Sequence, residues 1–487
     1  MLFNSIDFLF FFTIVTILYY LIPLKKRYIF IVFASYIFYM FWNIGNIVIL
    51  LYVTLITYIA GRLLELFNSN KQRKLVCILA GILCFVILFM YKYYDFVVKN
   101  LCFLLQKFGL QISYSPINLI LPVGISFFIF QAFGYVLDVY NKKISAEKNL
   151  LKYAAFVSFF PNLLSGPIER ASNLLRQISR GAQGNLEQIK KGLLQIAWGL
   201  YLKIVLSNNI APIVNLVYDN FTAYRGIEIV IATILFGIQI YCDFAGYSYM
   251  AIGCANILGF SLRDNFQEPY FSGNIAEFWR RWHISLTSWF RDYIYIPLGG
   301  NRKGKLRKYI NTFIVFLISG LWHGASWSYV FWGGLNGCYI IIEDFVYSKL
   351  NKIRGSRKKN GLLFLLSCLL TFIFVDYAWM FFRADSFRQG IDMTKMILFK
   401  MQAEYLFNGT VISELGGGKK LLVIFLGVLI LVVVDYLQYN NFDIVKKIFS
   451  CHVVIRWGIY LGLLFVIIVF GIYGYSYEQT QFIYFQF

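Results

Sequence analysis

The chain has few charged residues, few prolines and few histidines. Asp, Glu, Lys and Arg make up only 14% of its 487 residues, and it contains 8 prolines and 3 histidines. A soluble protein of this length would show amphipathic helices or strands of alternating polarity. Among the charged residues the acidic ones are the minority, with 24 Asp and Glu against 45 Lys and Arg. The composition therefore indicates a protein that is not soluble.

The chain contains many long apolar runs. Hydrophobic residues make up 59% of the chain and aromatic residues 20%, with a mean hydropathy of +0.64. Runs of about 20 apolar residues cross a bilayer core, and backbone exposed to lipid must form its hydrogen bonds internally, as a helix does. The sequence predicts an all-α polytopic membrane protein, a single membrane-embedded domain over residues 1–487. About twelve spans are expected, near residues 6–24, 28–43, 46–66, 75–96, 117–138, 192–206, 227–247, 309–327, 328–346, 361–382, 421–438 and 457–475.

The excess of positive charge predicts the orientation in the membrane. Lys and Arg occur in short bursts between apolar runs, which the positive-inside rule explains better than a nucleic-acid surface does. An extracytoplasmic N-terminus puts most of these bursts in the cytoplasm. The same parity puts the tail, residues 474–487, outside, and the tail contains no Lys or Arg. Basic residues within 383–419 also fall outside and oppose this orientation.

Motifs of several enzyme classes are missing. The sequence contains no Cys-x-x-Cys pair, Gly-x-Ser-x-Gly elbow, phosphate-binding loop or His-Glu-x-x-His motif. We therefore expect no metal ion and no resident cofactor. The first apolar run lacks a basic leader and a cleavage site, so it is interpreted as a span.

Two regions interrupt the pattern of spans. Prolines within residues 156–169 break an apolar run, which fits a re-entrant segment beside a cavity or an interfacial loop. Residues 264–308 form an expected cytoplasmic amphipathic segment. Within it, Asn274 and Glu277 resemble a capping box, followed by Phe278 and further aromatic residues that predict one amphipathic helix.

Two histidines are flanked by tryptophan. His323 lies inside a long apolar stretch, and an imidazole at membrane depth is by default a candidate for proton transfer. The alternative is a structural hydrogen bond to a neighbouring helix. His283 is expected near water on the amphipathic helix, where an exposed histidine needs no role. The third, His452, is expected to be solvated.

Asp243 is a carboxylate in an apolar run, placed at the end of a predicted span. Such a group faces a cavity or a partner, so it could orient a histidine or pair with an arginine. The alternative is a residue that reaches the membrane interface.

Several segments together resemble the membrane-bound O-acyltransferases, specifically the bacterial branch that serves alginate, peptidoglycan and other envelope polymers. The resemblance covers nearly the whole chain. It implies a ring of helices with re-entrant and amphipathic segments around a central cavity. The segments that carry it are residues 122–128, 159–168, 241–248, 278–287 and 298–302.

The resemblance assigns roles to the two histidines. It implies that His323 is the catalytic histidine and that His283 is the second characteristic histidine of the family. Supporting positions beside the cavity are Asp243, Trp322, Arg281 and Trp282. The implied reaction takes an acyl group from a cytoplasmic thioester, expected to be acetyl-CoA, to a hydroxyl that arrives from outside.

The C-terminal tail resembles a Phe-x-Tyr-x-x-Phe motif of envelope acylation systems. Tyr484 is expected to relay the acyl group, with Phe482 and Phe487 anchoring the tail; the alternative is a purely aromatic interface anchor. The expected partner is an extracytoplasmic transferase resembling serine hydrolases of the SGNH type, with an envelope polysaccharide as the final acceptor. Two alternatives stay open: D-alanyl export for teichoic acid and, from another class, a membrane transporter.

Overall fold

The computed structural model describes residues 1–110, 112, 114–117, 119–354 and 361–473, apart from the side chains of 347–354. The described residues form helices and connecting segments, with no strand among them. The α-helices are, in chain order, α1 Ile6–Leu21, α2 Arg27–Met40, α3 Asn46–Leu66, α4 Asn70–Leu88, α5 Tyr94–Lys107, α6 Ile125–Tyr140, α7 Leu150–Ser158, α8 Phe160–Leu163, α9 Leu174–Arg180, α10 Leu186–Leu200, α11 Asn208–Asp219, α12 Gly226–Ile257, α13 Ile275–Arg281, α14 Ile284–Phe290, α15 Lys305–His323, α16 Trp327–Arg354, α17 Gly361–Arg383, α18 Phe387–Phe399, α19 Thr410–Glu414, α20 Gly418–Tyr439, α21 Ile444–Ser450 and α22 Val453–Phe470.

The helical, membrane-spanning class is confirmed, whereas the count of about twelve spans is not. Within the described residues, 7 helices are long and apolar enough to cross a membrane. Some helices are shorter than the apolar runs from which spans were predicted. Helix α1 and helix α6 each contain 16 residues. A helix of that length rises only about 24 Å, less than the roughly 30 Å of a bilayer core.

Two compact units make up the described chain. One consists of Met1–Leu193 with Ala251–Arg263, and the other of Leu194–Met250 with the chain from Asp264 onward. All residues of the histidine site discussed below belong to the second unit.

The first unit contains the interrupted segment, residues 156–169. Helix α7 ends at Ser158, the short helix α8 follows, and every residue from 153 to 171 is buried. The Gln131 side chain holds the break: its amide donates to the Phe156 carbonyl, and its Oε1 accepts from Asn162 Nδ2 at 2.7 Å. Buried irregular backbone needs such partners because water cannot supply them. The helix break predicted at the prolines is confirmed.

In the second unit, helices α15 and α16 form a hairpin whose closest approach is between glycines. A Cβ on Gly320 would overlap the carbonyl oxygen of Tyr329, and a Cβ on Gly333 would overlap that of Phe316. Small residues let helix backbones approach this closely in membranes. Since His323 is the last residue of α15, this contact sets its position.

Adding a methyl group at this contact tests its importance. We expect Gly333→Ala to lower the free energy of unfolding by about 1–3 kcal/mol, because overpacking forces backbone shifts, and to lower activity by displacing His323. The matched control is Gly334→Ala, where the new Cβ would lie 3.5 Å from Leu317 Cδ2, an ordinary contact. Thermal unfolding in detergent measures both variants. Equal midpoints for the two would contradict this account of the hairpin.

The predicted amphipathic helix in residues 264–308 is wrong as a single helix, although its start is confirmed. Asn274 Oδ1 accepts from the Glu277 backbone N–H at 2.7 Å, as a capping residue does. The helix then ends at Arg281, and a second helix, α14, begins at Ile284. The break occurs because Asn265 accepts the Ile284 backbone N–H at 3.0 Å, a tertiary contact that spacing does not reveal.

Candidate active site

His323 is the last residue of α15 and is only 3% exposed. Three aromatic rings surround its imidazole: the ring centroids of Trp322, Trp332 and Phe382 lie 4.9, 5.1 and 5.3 Å from that of His323. These neighbours exclude bulk water from the ring. A buried imidazole in such surroundings suits proton transfer to a bound reactant.

His283 is buried, so the prediction that it lies near water is wrong. It is 1% exposed and stands between α13 and α14 with φ 45° and ψ 51°. A left-handed conformation costs a residue other than glycine roughly 1–2 kcal/mol. This turn ends the amphipathic spacing and points the imidazole into the protein. Strained residues of this kind concentrate at functional sites.

The two histidines lie side by side. Their ring centroids are 6.5 Å apart, and Trp322 contacts both, with its ring centroid 5.9 Å from that of His283. Phe244 of α12 packs edge-on against His283 at 4.6 Å. Two imidazoles at this spacing can contact one small reacting group from two sides. The structure therefore brings together the two histidines that the sequence singled out.

Asn265 holds His283, and sequence reasoning missed it. Asn265 Oδ1 lies 3.2 Å from His283 Nδ1 and accepts the Ser285 backbone N–H at 3.2 Å and the Ser285 hydroxyl at 2.9 Å. Its Nδ2 donates to Ser248 Oγ on α12 at 3.3 Å. An asparagine in a polar connecting segment has no distinguishing sequence signal, so only the fold reveals this contact.

His283 is neutral at physiological pH. Burial lowers the pKa of its imidazole from 6.5 to about 3, because the charged form loses its hydration. The neutral ring has one donor nitrogen and one acceptor nitrogen.

Asp243 is 1% exposed and forms an ion pair with Lys203, with 2.6 Å between Nζ and Oδ1. It lies inside α12 rather than at the end of a span. Lys203 belongs to a π-helical stretch, Tyr201–Ser207, and is itself buried. The partner of Asp243 is therefore a lysine and not the arginine that the sequence suggested. The contact that orients His283 comes from Asn265.

Two other supporting residues, Trp282 and Arg281, stabilise the segment that precedes His283. Trp282 is 1% exposed, stacks on Phe278 at 5.4 Å and packs on Trp379 at 5.0 Å. Arg281 forms an ion pair with Glu277 at 3.1 Å and donates to the Gln267 carbonyl at 3.1 Å. Both therefore stabilise the loop and helix that carry His283.

The remaining predicted residues lie apart from this cluster. His452 is exposed, as expected. Tyr484, Phe482 and Phe487 lie outside the described residues, so the relay assigned to Tyr484 stays a prediction.

Comparison with known proteins identifies a matching family. A model of the MBOAT, membrane-bound O-acyltransferase family, matches residues 34–384, a range that includes both buried histidines. The chain is 35% identical over 388 residues to the probable alginate O-acetylase of Pseudomonas putida, covering 79% of this chain and 78% of that protein.

The names of two further relatives state a different acceptor or a different acyl group from those of the alginate O-acetylase. The chain is 32% identical to the peptidoglycan O-acetyltransferase of Helicobacter pylori, over 81% of this chain and 79% of that protein. It is 26% identical to the teichoic acid D-alanyltransferase of Bacillus subtilis, over 57% of this chain and 72% of that protein. The similarity is thus greater and more extensive to the two O-acetylating relatives than to the D-alanylating one.

Proposed function

The chain belongs to the membrane-bound O-acyltransferase family and is a multi-pass membrane acyltransferase, and from this premise we propose that it O-acetylates a cell-envelope or secreted polysaccharide. The observation that carries the proposal is the buried pair of His323 and His283, 6.5 Å apart between ring centroids. A membrane transporter, the alternative from another class, does not account for membership in a family of acyltransferases.

His323 acts as the general base in the proposed reaction. It takes the proton from an acceptor hydroxyl, whose oxygen attacks the thioester carbonyl carbon. The carbon–sulfur bond then breaks, the proton passes to the leaving thiolate, and an oxygen ester and a free thiol result. The C-terminal end of α15 lies at His323, and the partial negative charge of a helix end stabilises a transient imidazolium.

The proposed donor is acetyl-CoA, which approaches from the cytoplasm. The clusters of Lys and Arg between apolar runs favour one orientation. In it, residues 264–308, including His283, lie on the cytoplasmic side and both chain termini lie outside. Only the acetyl group then changes side, because the donor stays in the cytoplasm and the acceptor hydroxyl arrives from outside.

Tyr484 is the proposed first acceptor. In this orientation its phenol lies outside, receives the acetyl group at the His323 site and passes it to an extracytoplasmic partner. The partner is an SGNH-type transferase that selects the hydroxyl on the polysaccharide. Phe482 and Phe487 anchor the tail at the membrane interface.

Labelling tests the donor and the relay together. Membrane vesicles containing the protein are incubated with radiolabelled acetyl-CoA, and label is mapped on Tyr484, on the partner and on isolated polysaccharide. We expect label on all three in the unmodified protein. Tyr484→Phe keeps the ring and removes the hydroxyl, so we expect label on polysaccharide to fall to background.

The control is Tyr477→Phe, in the same tail, which should leave labelling unchanged. Normal acetylation of polysaccharide by Tyr484→Phe would overturn the relay. No label from acetyl-CoA, with label from a charged D-alanyl carrier protein instead, would overturn the donor and select D-alanyl export.

A further inference from the structure

Asn265 stands apart from the residues that the sequence singled out, yet its contacts converge on His283. Its backbone carbonyl accepts the Ile284 N–H at 3.0 Å, and its side-chain Oδ1 faces His283 Nδ1 and Ser285. Asn265 is 1% exposed, so water does not compete for these contacts. One residue therefore holds both the start of α14, by its backbone carbonyl and its side chain, and the Nδ1 edge of the imidazole, by its side chain.

The backbone of Ser285 decides which way the Asn265 amide points. A backbone N–H only donates, so the Asn265 atom that lies 3.2 Å from Ser285 N is the oxygen. The amide nitrogen then points at Ser248 Oγ, 3.3 Å away, which can accept. Both ends of the amide have partners in this orientation, and the reversed amide would set two donors against each other.

The same oxygen decides the tautomer of His283. Oδ1 accepts only, so His283 Nδ1, at 3.2 Å, is the nitrogen that carries the proton. In a neutral ring the other nitrogen, Nε2, then carries the lone pair. A buried, neutral His283 presents a hydrogen-bond acceptor, and not a donor, at Nε2.

We propose that Asn265 is a positioning residue that holds His283 in the Nδ1–H tautomer, so that Nε2 accepts a hydrogen bond from an N–H or O–H group of a substrate. The amide N–H groups of a pantetheine-type thioester and the hydroxyl of the acceptor are the donors of this class. His283 then fixes a reactant beside His323. The binding of a reactant by His283 rests on the proposed function, whereas the tautomer of His283 does not.

Nitrogen NMR tests the tautomer directly. The chain has 3 histidines, so His283→Gln and His452→Ala variants assign the imidazole signals of 15N-histidine-labelled protein in detergent. We expect His283 Nδ1 to give a protonated, pyrrole-type signal and Nε2 an unprotonated, pyridine-type signal. A pyridine-type Nδ1 in the unmodified protein would overturn the proposal, whatever substrate the enzyme uses.

Substitutions at Asn265 separate positioning from helix capping. Asn265→Asp retains an oxygen for Ser285 and for His283 Nδ1, so we expect the Nδ1 proton to remain. Asn265→Leu keeps the volume and removes the acceptor, so we expect the Nδ1–H signal to be lost. The matched control is Ser248→Ala, which removes the partner of the amide nitrogen and leaves Oδ1 in place.

Activity per folded enzyme is the second readout, with the folded amount taken from size-exclusion chromatography. We expect kcat of Asn265→Leu to fall about 10–100-fold, the range seen when the orienting partner of a metal-bound histidine is removed, with Ser248→Ala near the unmodified value. A purely structural role predicts that folded protein is lost while kcat stays unchanged and the tautomer persists. That result would overturn the proposal.

Discussion

Replacing His323 with alanine is expected to abolish acyl transfer. The general base supplies about 10²–10⁴ in rate, and His323 is the buried imidazole at the end of α15. The rings of Trp322, Trp332 and Phe382, whose centroids lie within 5.3 Å of that of His323, carry no group that could take the proton in its place. Release of thiol from the thioester, measured with purified protein in detergent, checks the loss independently of any partner.

Two further variants show whether a lost rate reflects the loss of the imidazole at position 323 or a loss of folding. His323→Asn keeps a polar side chain of similar reach, so the protein should stay folded while the rate stays as low as in the alanine variant. His452→Ala removes an exposed histidine and should leave the rate unchanged. Rates near normal in both His323 variants would show that another group takes the proton.

Breaking the ion pair between Lys203 and Asp243 is expected to have the largest effect on stability. The side chains are 4% and 1% exposed, and 2.6 Å separates their charged atoms. Removing one partner of a buried pair leaves the other charge uncompensated, which destabilises by about 3–5 kcal/mol. We expect Asp243→Leu to lower the thermal midpoint in detergent sharply, or to prevent accumulation of folded protein.

The double variant Lys203→Met with Asp243→Leu provides the matched comparison. Replacing both charges by apolar side chains of similar volume is neutral or stabilising by about 1–4 kcal/mol in other proteins. We expect the double variant to recover the thermal midpoint and most of the activity, because the pair stabilises α12 rather than meeting the reactants. Recovered stability without recovered activity would instead give Asp243 a part in the reaction.

Local patterns identified much of the fold. Apolar runs predicted a helical membrane protein, and prolines near residue 161 predicted the break after α7, because both effects act within a few residues of the chain. The Asn274 cap was predicted for the same reason. Span lengths were harder, since an apolar run can continue past the end of its helix.

The prediction that His283 lies near water on a single helix was wrong for a specific physical reason. Aromatic residues at helical spacing on both sides of it predict one helix, and spacing cannot show that Asn265 captures the Ile284 N–H. That hydrogen bond, with the left-handed turn at φ 45°, splits the helix and buries the imidazole. The amphipathic pattern thus placed His283 near water on a helix, whereas it lies buried between α13 and α14.

The sequence by itself determined the class of protein, the family and the two histidines, because composition, motifs and residue type are local properties of a chain. Tertiary structure alone decided the partners: Asn265 for His283, Lys203 for Asp243, and Trp322 as the second aromatic contact of His283 beside Phe244. These partners come from different segments of the chain, and only the packing of the helices, which depends on all contacts at once, brings them into contact.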